Sequence, residues 1–98
     1  LRLKFYRILA RRYRCPVGEI DIVATRGRTI VFIEVKARRT IGQAMESVTP
    51  RQQKRIIRAA TAFLQSRPNR PDTLIRFDVL FIIPKRLPHH VKDAWRGS

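Results

Sequence analysis

Three of the seven acidic residues in this chain, Glu19, Asp21 and Glu34, fall within residues 18 to 39, GEIDIVATRGRTIVFIEVKARR, and Lys36 follows Glu34 by two places. The surrounding residues are apolar and β-branched, and a carboxylate buried among them is costly unless an ion pair, hydrogen bonds or a metal ion compensates it. Two nearby carboxylates suit magnesium, which takes one or two of them, keeps several waters and fills other positions with phosphate oxygens. The backbone carbonyl of Val35, between Glu34 and Lys36, could add a ligand. On the same face as Glu34, the Lys36 ammonium could orient a water and stabilise charge developing on a phosphate. That is the equipment of a phosphodiester hydrolase. A plain ion pair from Lys36 to Glu19 or Glu34 accounts for the same residues without catalysis.

The elements that must position these groups are legible in outline. Two β-rich runs flank TRGR, a turn centred on Gly27, so residues 18 to 39 read as a hairpin. Of the two simple registers, one sets Asp21 diagonal to Glu34. The other sets Asp21 directly opposite Glu34, and Glu19 opposite Lys36. In both, the carboxylates come within roughly 5–8 Å at the backbone, where like charges repel. Apolar residues on both faces make these central strands. FYRILARRYR ahead of them alternates as an outer strand, ended by CPVG. Residues 40 to 48, with Gly42, read as irregular.

A helix follows, with Thr49 as N-cap, Pro50 at the first helical position and Gln52 three residues after the cap. Ile56, Ala60, Phe63 and Leu64 form its apolar stripe, Arg51, Arg55, Arg58 and Arg67 face outward, and it ends before Pro68. TLIRFDVLFII is a buried strand stopped by Pro84. In the tail, Val91 and Trp95 stand four apart, as one helical turn packed back on the fold. Residues 1 to 4 read as the end of a helix. The sum is an α/β layer sandwich with a mixed sheet and helices on its faces.

At 98 residues and 44% hydrophobic, residues 1 to 98 are expected to form a single domain. Lys and Arg number 22 against 7 acids, a net charge of +15, which points to a polyanionic partner and first to nucleic acid. No run approaches the ~20 apolar residues of a membrane span, so no membrane association is expected. With one cysteine, Cys15, the chain has no intrachain disulfide or Cys-rich zinc site; that fits a reducing, cytoplasmic setting. No signal peptide is visible, and a start at Leu1 suggests an N-terminal piece beyond it.

Arg11, Arg12, Arg14, Arg38, Arg39, Arg51, Lys54 and Arg55 bracket the acidic segment and are the candidate phosphate contacts. Contacts to phosphate position a nucleic acid without reading its bases, so binding should be structure-selective and salt-dependent. Tyr6, Tyr13 and Trp95 are expected to pack in the core or its rim rather than stack on bases. His89 and His90, adjacent in sequence, point to opposite faces of a strand and make a poor metal pair.

GEID, followed across a short hairpin by VFIEVKARR, resembles the D…E-x-K core of the PD-(D/E)XK nuclease superfamily, the fold of restriction endonucleases and Holliday-junction resolvases. YRILARRYRCPVGEIDIVA, VFIEVKARR, TPRQQKRIIRAATAFL and RFDVLFI together resemble the YraN-like bacterial family, an uncharacterised one, over nearly the whole chain. The resemblance implies a restriction-endonuclease-like αβββαβ core, its mixed sheet flanked by helices and its first helix truncated or absent here. It implies a magnesium- or manganese-dependent endonuclease acting on DNA, branched or damaged, as a homodimer with one site per strand. An inactive nucleic-acid-binding module on the same fold is the alternative. Position by position, Asp21 and Glu34 match the metal-binding carboxylates and Lys36 the catalytic lysine. Gln53 resembles a polar residue on the helix after the core, and Glu19 and Asp78 are supporting residues. Two departures stand out. No acid precedes Glu19, where related nucleases carry a glutamate in a first helix, and Phe5 stands before YRIL where the family often has glycine.

Overall fold

The computed structural model describes residues 5–95. Five strands form one sheet in sequence order, β1 (Arg7–Cys15), β2 (Gly18–Arg26), β3 (Thr29–Ala37), β4 (Leu74–Ile82) and β5 (His89–Trp95). Between β3 and β4 lie α1 (Ile41–Glu46) and α2 (Pro50–Gln65). The helical crossover makes β3 and β4 parallel, and every other neighbouring pair is antiparallel, so the sheet is mixed. The expected β1 is an outer strand and β2, β3 and β4 are central. The expected helix end at residues 1 to 4 lies outside the described residues.

The β2–β3 turn depends on Gly27, whose φ of 58° is strained for other residues. The start of α2 is as its residues dictate: Thr49 Oγ1 accepts from the Gln52 amide at 3.2 Å, and Pro50 occupies the first turn. Ile56, Ala59, Ala60 and Phe63 are its buried stripe. The helix lies against β2 and β1. Gly18 allows this approach, because a Cβ there would stand 3.0 Å from the Arg55 carbonyl oxygen. Across the same face runs an aromatic series: Tyr13 edge-on to Phe63, Phe63 edge-on to Phe32, Phe32 stacked on Phe77, and Phe77 stacked on Trp95. Such pairs add about 0.5–1.5 kcal/mol each beyond their area burial. They tie α2 to the sheet from one edge to the other.

Three expectations are corrected. Residues 41–46, read as irregular, form a short helix, because Thr40 caps it by accepting from the Gln43 amide and Ala44 buries against the core. The tail, read as a helical turn, is β5; Val91 and Trp95 face the same side because spacing of four satisfies a strand as well as a helix. Helices were expected on both faces. Among the described residues, the buried side chains of both helices join the cluster around Phe32 and Phe77, and none joins the smaller cluster of Ala24, Val31, Ile33 and Leu80 behind the sheet. There the shielding comes from Tyr6, Ile8, Ile22 and Val35. No helix of the described residues is long and apolar enough to cross a membrane.

Candidate functional site

β2 and β3 pair in a regular ladder from Arg26 and Thr29 to Ile22 and Ile33, and there the main-chain pairing ends. This is the register that sets Asp21 level with Glu34. Where the next pair would form, the Val35 amide donates to Asp21 Oδ2 at 2.8 Å, so a side chain replaces the missing carbonyl of the ladder. On the other flank, β1 pairs Arg11 with Ile22 and Tyr13 with Ile20, and Arg12 between them has a φ of 50°. A non-glycine residue in that region costs on the order of 1–2 kcal/mol. The sheet is thus irregular on both sides of Asp21, and backbone strain of this kind gathers at functional sites.

Glu19, Asp21 and Glu34 line a cavity of about 260 Å³ whose helix side is Gln52, Arg55 and Ile56. Glu34 is 9% exposed. Burial pushes its carboxyl up to about 8, with further contributions from a hydrogen bond to Asp21 and from the Asp21 charge; the Lys36 charge opposes the rise. Glu34 thus holds a proton at neutral pH. Lys36, also 9% exposed, neighbours Phe81 on the α2 side of the sheet, as Glu34 neighbours Val79. Among the described residues Lys36 makes no ion pair within 4.0 Å, so the plain ion-pair account does not explain its burial. Glu19 lies opposite Arg14 on β1, 3.6 Å from its Nε, because β2 has left the β3 ladder before it could face Lys36. That pair is exposed and contributes little.

Gln53 does not reach the carboxylates. It lies one helical position round from Gln52, donates from Nε2 to the Val48 carbonyl at 3.4 Å, and lines a separate hollow with α1, β4 and β5. Gln52, whose amide is capped by Thr49, stands at the acidic cavity instead. Arg11, Arg12, Arg14, Arg38, Arg39, Arg51, Lys54 and Arg55 are all exposed, and of these Arg55 lines the acidic cavity. Tyr13 and Trp95 pack in the core as expected. Cys15 is half-buried at the end of β1.

Asp78 is fully buried and serves as a hub. Arg76 reaches it through Nε and Nη2, both at 2.8 Å, His90 Nε2 lies 2.7 Å from Oδ2, and the Asp93 amide donates to Oδ1 at 2.9 Å. Asp93 has a φ of 53°, in a bulge where β5 slips relative to β4. Burial pushes the Asp78 carboxyl up, but the Arg76, Asp93 and His90 hydrogen bonds outweigh it and hold the group below its usual value. Arg76 also donates to the Tyr6 hydroxyl at 2.6 Å. The cluster joins Tyr6, just ahead of β1, to β4 and β5. Its arginine is Arg76, two places away on the same strand face.

Among the described residues no three His, Cys, Asp or Glu side chains form a closed metal cage. The two carboxylates, Glu34 held protonated chiefly by burial, meet at an open cavity and are the groups there that could hold a magnesium-type ion that keeps its waters.

Residues 1–82 match the sequence profile of the uncharacterised protein family UPF0102. A UPF0102 protein of Parvibaculum lavamentivorans is 51% identical over 96 residues, covering 98% of this chain and 72% of that protein. One of Rhodopseudomonas palustris is 52% identical over 98 residues, covering 100% and 77%. One of Paramagnetospirillum magneticum is 50% identical over 100 residues, covering 98% and 78%.

Proposed function

The chain belongs to the UPF0102 family, whose description assigns no reaction, and from the site itself we propose that it is a divalent-metal-dependent endonuclease acting on DNA, selective for structure rather than sequence. One observation carries this reading. Asp21 and Glu34 are forced together at a break in the sheet, and burial together with the neighbouring Asp21 keeps Glu34 protonated against the pull of the Lys36 charge. A cation would take the place of that proton. Asp21, Glu34 and the Val35 carbonyl are the groups that would hold magnesium or manganese. When bound, such an ion polarises a phosphate oxygen and lowers the pKa of a coordinated water.

The protein's own groups supply the rest. The Val35 amide fixes the Asp21 carboxylate. Lys36, close enough to depress the Glu34 pKa, would face charge growing on the phosphate during attack. Arg55 and Gln52, on the helix wall, can hold non-bridging phosphate oxygens. Arg55 lines the cavity, and the other exposed arginines of β1, the β3 end and α2 would grip phosphates beyond it, in a cytoplasmic protein working on DNA.

Cleavage of linear, single-stranded, flapped and four-way-junction DNA with magnesium or manganese tests the reading. Asp21→Asn and Lys36→Ala should each abolish cutting while leaving the fold and most DNA binding intact. Cutting that survives both substitutions would refute it. The second reading, a binding module with a relict site, draws on the lack of a third carboxylate, histidine or cysteine grouped with Asp21 and Glu34 among the described residues. Tight, salt-sensitive binding by the full-length protein without cutting would select it.

A further inference from the structure

The hollow that holds Gln53 lies on the same side of the sheet as the acidic cavity, across β3 from it. Its volume is about 330 Å³, within the roughly 300–1,000 Å³ range of small-ligand sites. Val79 and Phe81 form part of its wall, and in the parallel ladder these residues stand directly beside Glu34 and Lys36. Adjacent strands are about 4.8 Å apart. A group seated in the hollow is therefore an immediate neighbour of any phosphate held at the carboxylates.

The walls are apolar and aromatic, with a few polar groups among them. Trp95 is 9% exposed, and its indole Nε1 is a buried donor with no partner among the described residues. An unpaired donor of this kind costs about 1–3 kcal/mol unless something accepts from it. Gln53 and His89 add an amide and an imidazole. On the α1 side the rim is Ile41 and Met45, exposed at 41% and 62%. Apolar walls with sparse hydrogen-bonding groups are what an unstacked nucleobase requires: faces to lie against, and donors or acceptors for its edge. Nothing in the acidic cavity needs such a surface.

We infer that this hollow is a nucleobase subsite, which receives an unpaired base next to the phosphate held at Asp21 and Glu34. The inference rests on the nucleic-acid reading above and sharpens it. The preferred substrate carries an unpaired or extruded nucleotide at the point of attack, as at a flap, gap or branch. In a continuous duplex the base stays in its stack and the hollow remains empty.

Trp95 is the chain's single tryptophan, so its fluorescence reports on the hollow alone. The full chain, without divalent metal, is titrated with two DNA duplexes, each with one unpaired position. One carries a normal nucleotide there and the other an abasic sugar with the same phosphates. The normal nucleotide should quench Trp95 and bind roughly tenfold tighter, the abasic one should bind without quenching, and the uncharged Met45→Gln at the rim should narrow that difference while leaving abasic binding unchanged. Equal affinity and equal emission for the two duplexes would overturn the subsite and leave the nuclease reading standing. Base-dependent quenching in a protein that cuts nothing would support the subsite and remove catalysis. Failure to bind either duplex would overturn both.

Discussion

The proton held by Glu34 can be read as stability. Glu34 has an ordinary value of 4.5 and is raised to about 8 in the folded chain. Between those values the native state holds a proton that the unfolded chain has released, so stability falls by about 1.4 kcal/mol per pH unit as pH rises. The loss begins above pH 4.5 and is complete near 8. From about pH 6 to about pH 9 the upper limit is nearly 3 kcal/mol, and with water able to enter the cavity about 2 kcal/mol is expected. Glu34→Gln removes the titration while keeping the shape. Urea unfolding with chelator present, at both ends of that window, should show the parent protein losing this amount relative to the variant. Magnesium should restore the parent at the alkaline end and do nothing for Glu34→Gln. Parallel stability profiles for the two proteins would refute the argument that these acids are in conflict.

Asp78→Asn leaves the half-buried Arg76 without its counter-charge and should cost about 3 kcal/mol in urea unfolding. Because the Asp78 carboxyl is held low, the parent should keep this advantage above its ordinary value of 3.8 and lose it as pH falls through the lower folded one, whereas the variant should lack that acid-side dependence. Gly18→Ala sets a Cβ 3.0 Å from the Arg55 carbonyl oxygen and must push α2 off β2; a loss of about 1–3 kcal/mol by thermal unfolding is expected, with cleavage lost more steeply than stability. Phe5, with a φ of 66° and 82% of its surface exposed, carries a conformation that glycine adopts freely. Phe5→Gly should therefore hold or raise the melting temperature, by up to about 1 kcal/mol in stability.

The acidic hairpin, its flanking strands and α2 were legible because each is announced locally: alternation, a glycine turn, and a Thr-Pro cap. Phe5 also carries a local signal, since the left-handed backbone there is what glycine would have indicated. α1 was not legible, since six residues hold too few periods to be recognised and Gly42 argues against a helix. β5 was ambiguous in principle, because Val91 and Trp95 share a face under either period. Which glutamine meets the carboxylates depends on the rotation of α2 about its axis, and that is set by Gly18 and Ala59 packing far along the chain. The Asp78 hub depends on a bulge in β5, which no local pattern marks.

The hydrogen bond from Val35 to Asp21 has a spectroscopic consequence. A main-chain amide that would ordinarily be locked in a ladder is bonded to Asp21, the carboxylate beside Glu34 at the proposed metal site. Its nitrogen and proton resonances should therefore move with pH and with added magnesium while those of Ile22 and Ile33, one ladder step away, hold still. A single cross-peak would follow the charge state of the centre, with no label attached and no substrate present.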